Sequence, residues 1–267
     1  MKKGTKVALS AVKNCGKCNN CLSGNPSKCS EFIVAGKNTD GFLKDFAVLT
    51  TSEINTYPQS ISDSEIIYLE YVSLALSVVD KLNVEKGQHV GIIGASVFGS
   101  TLAQLIIYYQ GVPIIIDDDD EDLLLAKKSG IYYTVKSGAK TEKEISSITG
   151  GRMLEKVVYV TGSKISPELA FKLSASLGKV AFAGFSQINL RTSVNLALEK
   201  QLDCAFITSG YGNTETAINI LANKAIDFSN YLVPLTEMKD IEKNVAEMCE
   251  RYQKKEKVKD LLVNMLG

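Results

Sequence analysis

Four cysteines close together near the start of the chain constrain its fold more than any other feature. They are Cys15, Cys18, Cys21 and Cys29, spaced C-x2-C-x2-C-x7-C within the segment CGKCNNCLSGNPSKC. Two-residue spacers let successive sulfur atoms point at one centre, and zinc favours four tetrahedral ligands that include thiolates. A site closed by four thiolates has no open position for water. The sequence therefore predicts a structural zinc site that contributes folding energy.

Three alternatives to a structural zinc site fit the cysteine cluster less well. Four unrelated surface thiols are rarely so close in sequence. A nucleic-acid-binding zinc ribbon usually has two separated CxxC knuckles with basic or aromatic residues between them, whereas this loop carries only Lys17 and Lys28. An iron–sulfur cluster is the third alternative, although the Cys-Pro ending is missing. Cys204 and Cys249 stand apart among apolar neighbours, which predicts buried, inert thiols.

The composition excludes several classes of partner. Thirty Lys and Arg balance thirty Asp and Glu, so no overall field draws the chain to nucleic acid or an anionic membrane. The 267 residues, 45% hydrophobic, suit one large or two smaller domains. No apolar run approaches the ~20 residues that span a bilayer, and the first residues lack a secretory apolar stretch. We expect a soluble, cytoplasmic protein with no nucleic-acid or membrane partner.

A strand, a tight turn, a helix and a second strand follow one another from residue 89. The apolar run 89–93 predicts a buried strand, and apolar residues at helical spacing from Leu102 to Tyr109 predict a helix. A strand over 113–116 then ends at Asp117. This order and these lengths match the first βαβ unit of a Rossmann domain. The fold class predicted is α/β, with a doubly wound parallel sheet.

The turn GASVFG is the predicted binding site for a dinucleotide pyrophosphate. Gly94 permits the tight turn, Gly99 lets the helix pack close to the sheet, and the helix N-terminus presents free N–H groups to the phosphates. Ser96 stands where a glycine normally lets the backbone approach the ligand, so binding survives with lower affinity. The predicted cofactor-binding residues of this turn are Gly94, Ser96, Val97, Phe98 and Gly99.

Asp117, at the end of the second predicted strand, can accept hydrogen bonds from the adenosine ribose hydroxyls. Asp118 and the two aspartates after it would repel a 2′-phosphate, so NAD is favoured over NADP. Beyond Asp117, a solvated loop and the charged first turn of the next helix also account for the acidic run to Asp122, and they fit it better than a calcium site, which would need EF-hand spacing and a loop glycine.

Three later predicted strands end in small residues at Gly162, Gly184 and Ser209. Ligands of an open parallel sheet bind beyond the carboxyl ends of its strands, so these residues are candidates for the cofactor's edge. Ordinary turns at strand ends account for each residue, taken singly, about as well.

A four-cysteine lobe followed by a Rossmann domain resembles the medium-chain, zinc-containing alcohol and polyol dehydrogenase superfamily, and the resemblance runs the whole chain. GTKVALSAVKNCGKCNNCLSGNPSKC is similar to the stretch that encloses the family's structural zinc. LEYVSLALSVVDKLNVEKGQHVGIIGASVFG is similar to the helix and turn that enter its coenzyme domain. The second strand and helix of that domain are similar to IDDDDEDLLLAKKSG. Asp122 here replaces an Arg or Lys that is common in the family, which weakens the adenosine side of the coenzyme site.

The resemblance implies three parts. Residues 1–62 are the remnant of a GroES-like catalytic domain with the zinc lobe at about 13–31, residues 63–210 are the NAD-binding Rossmann domain, and residues 211–267 return to the catalytic domain. Apolar spacing predicts one amphipathic helix through Ile241, Val245, Met248 and Tyr252. A second apolar set predicts its continuation, whereas the family has a strand near there; the set is Val258, Leu261, Leu262 and Met265.

The catalytic zinc of the family is the point where the resemblance breaks. Glu70 matches a glutamate near that zinc in the polyol and threonine dehydrogenase branch, but Tyr71 replaces the proline that follows, and an ordinary helix-surface acid fits equally well. The family's leading barrel, with its Cys and Gly-His-Glu, is not in this sequence. His89, the one histidine, lies at the entry to the first Rossmann strand and cannot replace a catalytic ligand. The catalytic site therefore cannot be assembled in the usual way.

The leading hypothesis is a zinc-containing, NAD-dependent alcohol or polyol dehydrogenase, truncated here and inactive alone. Its cofactors are structural zinc and NAD, and its substrate is a small alcohol or polyol. An incomplete barrel leaves unpaired strand edges and an open apolar face, so we expect a homo-oligomer or a complementing N-terminal fragment. The alternative is a non-catalytic NAD-binding or scaffold subunit that associates through the zinc lobe and the barrel remnant.

Overall fold

A computed structural model describes residues 1–185, 194–232, 235–254 and 262–264 of the chain. The strands in chain order are β1 (Val7–Leu9), β2 (Val12–Lys13), β3 (Ile33–Val34), β4 (Ile54–Thr56), β5 (His89–Ile93), β6 (Val112–Asp117), β7 (Tyr133–Lys136), β8 (Leu154–Val160), β9 (Ser174–Ala183), β10 (Asp203–Ile207), β11 (Leu235–Glu237) and β12 (Leu262–Asn264). The helices are α1 (Asn19–Leu22), α2 (Asp63–Ile66), α3 (Leu69–Leu82), α4 (Val97–Tyr108), α5 (Asp120–Lys128), α6 (Thr141–Ile148), α7 (Glu168–Leu173), α8 (Asn195–Glu199), α9 (Thr214–Ala222) and α10 (Ile241–Gln253).

Six strands form one parallel sheet in the order β10-β9-β8-β5-β6-β7. Helices α4 to α8 connect successive strands of this sheet. The chain enters the sheet in the middle at β5, winds to one edge through β7, and then returns to the other edge through β10. This is the doubly wound order of a Rossmann domain, and it confirms the predicted fold class.

The sheet is buried on both faces because its central strands are apolar at nearly every position. On β5, Ile92 packs in one hydrophobic cluster and Ile93 in the other, as expected when alternate side chains point to opposite faces. Helices α3, α4 and α9 contribute to the first cluster, and α6 and α7 to the second. Two layers of helix therefore enclose the central strands of the sheet, and the ends of these strands stay open to a ligand.

Three small sheets lie outside the six-stranded one. Strand β1 pairs antiparallel with β4, β2 pairs antiparallel with β3, and β11 pairs parallel with β12. The first two lie within residues 1–62, with the four-cysteine segment between their strands. A cavity of about 180 Å³ lies between these strands and residues 39–49.

The boundaries of most predicted elements agree with the structure. Strand β5 covers the predicted run 89–93, and α10 covers the predicted amphipathic helix. The predicted continuation of that helix is wrong at Leu262, which lies in β12. Its other predicted members, Val258, Leu261 and Met265, lie outside the described residues. No helix among the described residues is long and apolar enough to cross a membrane.

The prediction that Cys204 and Cys249 are buried is wrong, because both are exposed. Cys204 lies on β10, the edge strand of the sheet, and shares an exposed face with Phe206. Cys249 lies on α10, among its exposed residues. Apolar neighbours in sequence predict burial only when the whole element is covered, and neither element is.

Candidate functional site

The four clustered cysteines converge on one point. Their sulfur atoms all lie within 4.8 Å of one another. The Cys18 sulfur lies 3.5 Å from that of Cys21 and 3.9 Å from that of Cys29, and the sulfurs of Cys15 and Cys21 are 4.0 Å apart. Tetrahedral zinc, with Zn–S bonds of about 2.3 Å, places its sulfur ligands about 3.8 Å apart. The spacing of the sulfur atoms therefore fits a tetrathiolate metal site.

Backbone N–H groups support the sulfur atoms. The amide of Cys15 donates to the Cys29 sulfur at 3.3 Å, and the amide of Glu31 donates to the same sulfur at 3.4 Å. The amide of Cys18 donates to the Cys15 sulfur at 3.3 Å. The short helix α1 between Cys18 and Ser23 provides the curl that brings the sulfurs together. Such hydrogen bonds stabilise thiolates, which are the form that a metal ion binds.

The cysteines differ in proton affinity before a metal arrives. Backbone hydrogen bonds from Cys21 and Ser30 lower the pKa of Cys18 to about 5, whereas burial raises the pKa of Cys29 to about 11. The surroundings therefore favour the thiolate at Cys18 and the thiol at Cys29. A metal ion must displace the remaining protons, so its affinity rises with pH.

The coenzyme turn between β5 and α4 has the geometry that the sequence predicts. Gly94 has a φ of 114°, which favours glycine. A Cβ on Gly99 would lie 2.0 Å from the carbonyl oxygen of Gly94, so only glycine lets α4 begin this close to the strand. The Ser96 hydroxyl accepts from the amide of Gly99 at 3.4 Å and caps α4, while Ser96 itself is exposed. Val97 and Phe98 form the first turn of α4. The free N–H groups of this helix therefore face the strand ends.

Asp117 ends β6 beside this turn, as predicted, but its carboxylate already holds protein groups. It accepts from the amide of Ala95 at 2.6 Å and from the amide of Asp119 at 2.9 Å. Burial raises the pKa of Asp117, and these two hydrogen bonds oppose the rise. The side chain therefore fixes the coenzyme turn and keeps acceptor capacity for a ribose hydroxyl. Asp118, next to it, is exposed.

The rest of the acidic run forms the start of a helix. Asp119 caps α5 by accepting from the amides of Glu121 and Asp122, and residues 120–122 form the first turn of that helix. Acidic side chains there complement the positive end of the helix dipole.

Gly162 and Gly184 lie near the same edge of the sheet as Gly94. A Cβ on Gly94 would come within 3.0 Å of Val160. A Cβ on Gly184, where φ is 145°, would lie 2.1 Å from the hydroxyl oxygen of Thr161. Gly162 also has positive φ, at 93°. The ends of β5, β8 and β9 therefore come close together in a cradle with little side-chain bulk.

Thr161 is a residue in this cradle that the sequence did not single out. Its hydroxyl is buried and has no hydrogen-bond partner among the described residues. Unsatisfied buried hydroxyls are rare in proteins, and one at the carboxyl ends of parallel strands fits a group that a polar ligand satisfies. Only its position directly before Gly162 marks it in the sequence.

Ser209, the last predicted cofactor residue, lies beside a different cleft. Its hydroxyl accepts from the amide of Tyr211 at 3.0 Å. The cleft, of about 410 Å³, lies between the cysteine lobe, α3 and the segment after β10. The glycine cradle and Asp117 thus lie together, whereas Ser209 lies in the cleft beside the four-cysteine segment. This segment, residues 13–31, is the metal lobe.

Glu70 lies in the first turn of α3, at the junction between the N-terminal strands and the large sheet. One carboxylate oxygen accepts from the amide of Ala11 at 3.4 Å, and burial raises the pKa of this carboxyl. Tyr71 follows it, and its ring centroid lies 6.2 Å from that of Phe98 and 5.6 Å from that of Phe185. Glu70 is therefore not an ordinary helix-surface acid, and its neighbour helps to form an aromatic wall beside the coenzyme turn.

Comparison with known proteins adds the family context. No family model matches the sequence. An uncharacterised zinc-type alcohol dehydrogenase-like protein of Haemophilus influenzae is 24% identical over 248 residues, which is 92% of this chain and 72% of that protein. The structure of a short chain alcohol dehydrogenase (rspB) from E. coli CFT073, complexed with the cofactor NADH, superimposes with a TM-score of 0.79. It is 21% identical, and the match covers 98% of this chain and 77% of that one.

In sequence, the chain is therefore similar to zinc-type alcohol and polyol dehydrogenases, and in fold it is similar to dehydrogenases of known structure, as the resemblance predicted. Among its relatives of named activity is the sorbitol dehydrogenase of Halalkalibacterium halodurans. That enzyme is 24% identical over 218 residues, which is 80% of this chain and 64% of the enzyme. The 267 residues thus span about two thirds to three quarters of the proteins they match.

Proposed function

We propose that this chain binds NAD at the glycine cradle and zinc at the cysteine cluster, as the coenzyme-binding part of a zinc-type alcohol or polyol dehydrogenase. The observation that carries the proposal is the joint geometry of Gly94, Gly99 and Asp117 at the middle of a doubly wound sheet. In that reaction the bound nicotinamide accepts or gives a hydride at a secondary alcohol carbon.

Each of the chain's own groups has a task in binding the coenzyme. The N-terminus of α4, capped by Ser96, offers N–H groups to the pyrophosphate. Asp117 accepts from the ribose hydroxyls, and Asp118 repels a 2′-phosphate, which selects NAD. Gly162 and Gly184 add no side chain at the proposed nicotinamide end, and the Thr161 hydroxyl, which occupies the space beside Gly184, supplies a polar contact there.

The cysteine cluster is proposed as a structural zinc site rather than a catalytic one. Four cysteine ligands fill a tetrahedral shell, so no position remains for a substrate oxygen. We further propose that these residues alone do not assemble the catalytic zinc site. Glu70 is the candidate ligand that the resemblance implies for it, and His89 lies at the opposite end of β5 from Gly94. Alcohol turnover by these residues alone is therefore expected to be poor or absent.

The partner proposed for turnover is protein that completes the β-barrel remnant. Phe46 and Val48 are 91% and 103% exposed beside the 180 Å³ cavity that Leu49 helps to line. Apolar side chains so exposed next to short strand edges favour docking of further β structure. A second copy of the chain is the other proposed partner, because the edge strand β10 exposes Phe206 to 65%.

The domain boundaries are part of the proposal. We place the barrel remnant at residues 1–62, the Rossmann domain at 63–210 and the returning segment at 211–267. Helix α2, which begins at Asp63, and the Gly210 turn after β10 support the two boundaries.

The test is to measure zinc content, coenzyme affinity and alcohol oxidation on the same preparation. We expect one zinc ion per chain, NADH binding at least tenfold tighter than NADPH binding, and no turnover of sorbitol or other polyols. Asp117→Ala should weaken NADH binding, while Lys179→Ala, at the opposite end of the sheet, should not. Two zinc ions per chain, or turnover at ordinary dehydrogenase rates, would refute the incomplete catalytic site.

The scaffold alternative makes a different prediction for the same samples. A scaffold subunit keeps its zinc and binds a partner, yet gains no activity when a relative's leading barrel segment is added. A dehydrogenase part gains alcohol oxidation under that treatment. Failure to bind NADH at all would refute both versions, since each assigns the cradle to NAD.

A further inference from the structure

A hydrogen-bonded chain runs from the large sheet to the metal lobe. The hydroxyl of Tyr211 donates to the side-chain carbonyl oxygen of Asn14 at 2.8 Å. The amide nitrogen of the Asn14 side chain then donates to the sulfur of Cys21 at 3.5 Å, within the range of N–H···S bonds. Tyr211 and Asn14 are 197 positions apart in sequence. The contact therefore joins two distant parts of the chain at one metal-binding residue.

Chemistry fixes the direction of these bonds. A thiolate only accepts hydrogen bonds, so the NH2 end of the Asn14 side chain must face Cys21. The oxygen of that amide then faces Tyr211, whose hydroxyl must donate. The two hydrogen bonds point in the same direction through the Asn14 side chain. Each one polarises the amide group and so strengthens the other. Charge on the sulfur is thus stabilised by a pair of residues rather than by Asn14 alone.

The segment that carries Tyr211 is anchored firmly to the Rossmann domain. A Cβ on Gly210 would lie 2.3 Å from the backbone carbon of Ser73, so this turn lies directly against α3. The side chain of Asn213 donates to the Ser77 hydroxyl, also on α3, at 3.0 Å. The anchored segment thus gives Tyr211 a fixed position relative to the large sheet.

The tyrosine ring also contacts the metal lobe. Its centroid lies 5.2 Å from that of Phe32, three residues after Cys29. Ring packing and the hydroxyl are separable, because Tyr211→Phe keeps the first and removes the second. This separation makes the hydrogen bond testable without opening a cavity.

We propose that Tyr211 and Asn14 are positioning residues that hold the Cys21 thiolate on the metal and dock the metal lobe onto the Rossmann domain. Metal retention and docking of the lobe are then coupled through one hydrogen-bonded relay. The inference rests on the metal site of the proposed function, and it goes beyond it by adding two residues that are not ligands. Outer residues that orient metal ligands typically change metal affinity 10- to 100-fold when removed.

The test measures zinc release to a chromogenic chelator from the full chain. Asn14→Ala and Tyr211→Phe should each speed release by about tenfold. The double variant should release zinc no faster than Asn14→Ala alone, because Tyr211 acts only through Asn14. Tyr132→Phe is the matched control: this tyrosine is 84% exposed, and its release rate should equal that of the unmodified chain.

A spectroscopic measurement separates positioning of the sulfur from general loosening. In the cobalt-substituted protein, both single variants should shift the sulfur-to-cobalt charge-transfer absorption, since electron density on Cys21 changes. Release rates within twofold of the unmodified chain, or effects that add in the double variant, would overturn the relay. If the unmodified chain binds no zinc, the proposed metal site itself fails, which is a distinct result.

Discussion

Replacing Gly99 by alanine should disrupt the coenzyme turn, and the structure gives the size of the effect. The new Cβ would lie 2.0 Å from the carbonyl oxygen of Gly94, whereas ordinary contacts begin near 3.4 Å. The start of α4 must therefore retreat from β5 by more than 1 Å, on the order of the missing distance. The backbone fixes the position of the Cβ, and the Gly94 oxygen is itself a backbone atom, so no side-chain rotation relieves the clash. Forced overpacking of this kind typically destabilises a protein by about 1–3 kcal/mol.

The same displacement should weaken coenzyme binding. A helix N-terminus that moves by about 1 Å loses at least one hydrogen bond to a charged phosphate, which is worth about 1.5–3 kcal/mol. That loss corresponds to a roughly 10- to 100-fold higher Kd for NADH. Stability and affinity should thus fall together in Gly99→Ala, because one movement causes both.

The assay combines urea unfolding with an NADH fluorescence titration. The chain contains no tryptophan, so unfolding is best followed by far-ultraviolet circular dichroism. A loss of about 2 kcal/mol lowers the midpoint by about 1 M urea if the slope is near 2 kcal/mol per molar. Gly138→Ala is the control, since a Cβ there meets nothing within 4 Å. If Gly99→Ala matches Gly138→Ala in both midpoint and Kd, the close approach of α4 to β5 is refuted.

Three further outcomes follow from contacts elsewhere in the chain. The Cys29→Ser variant should lose zinc to a chelator far faster than the unmodified chain. The control Cys249→Ser, changed at an exposed residue of α10, should lose zinc at the unmodified rate. Equal rates of zinc loss in the two variants would exclude the cysteine cluster as the zinc site. Hydrogen bonds from Lys13 and Thr50 lower the pKa of Glu53 from 4.5 to about 2, so the stability it contributes is complete above pH 4.5 and is lost as the pH falls toward 2. Melting temperatures across that range should show the advantage over Glu53→Gln shrinking with acid, and a constant difference would refute the ion pair. Leu154→Ala should lower the free energy of unfolding by about 2–5 kcal/mol, measured in urea, because this fully buried side chain fills the space beside Gly91; a loss below 1 kcal/mol would contradict that packing.

The sequence was sufficient for the coenzyme half of the fold because local and global signals agree there. The run 89–93 is apolar at nearly every position, as a strand buried on both faces requires, and helical spacing begins directly after the turn. Gly94 and Gly99 could be interpreted individually, since each has one geometric task. In such segments the periodicity of the apolar residues is enough to predict which side chains are buried.

Sequence reasoning failed where partners are distant in the chain or where an element has an open side. Cys204 has apolar neighbours, but it is exposed because β10 is the edge strand of the sheet. The local sequence does not predict that edge position. The bond from Asp117 to the amide of Ala95 arises from a turn 22 positions away. Tyr211 and Asn14 are farther apart still, and neither has an unusual sequence context.

The metal lobe also has a consequence for the order of folding. All its proposed ligands fall between Cys15 and Cys29, so closing the site orders only a short loop and loses little chain entropy. The large sheet, by contrast, must bring β5 beside β8 across two intervening strands before its centre exists. Zinc binding should therefore fold the metal lobe early, while the chain is still being synthesised. Docking of the folded lobe through Tyr211 would follow only after the last strand of the sheet has formed.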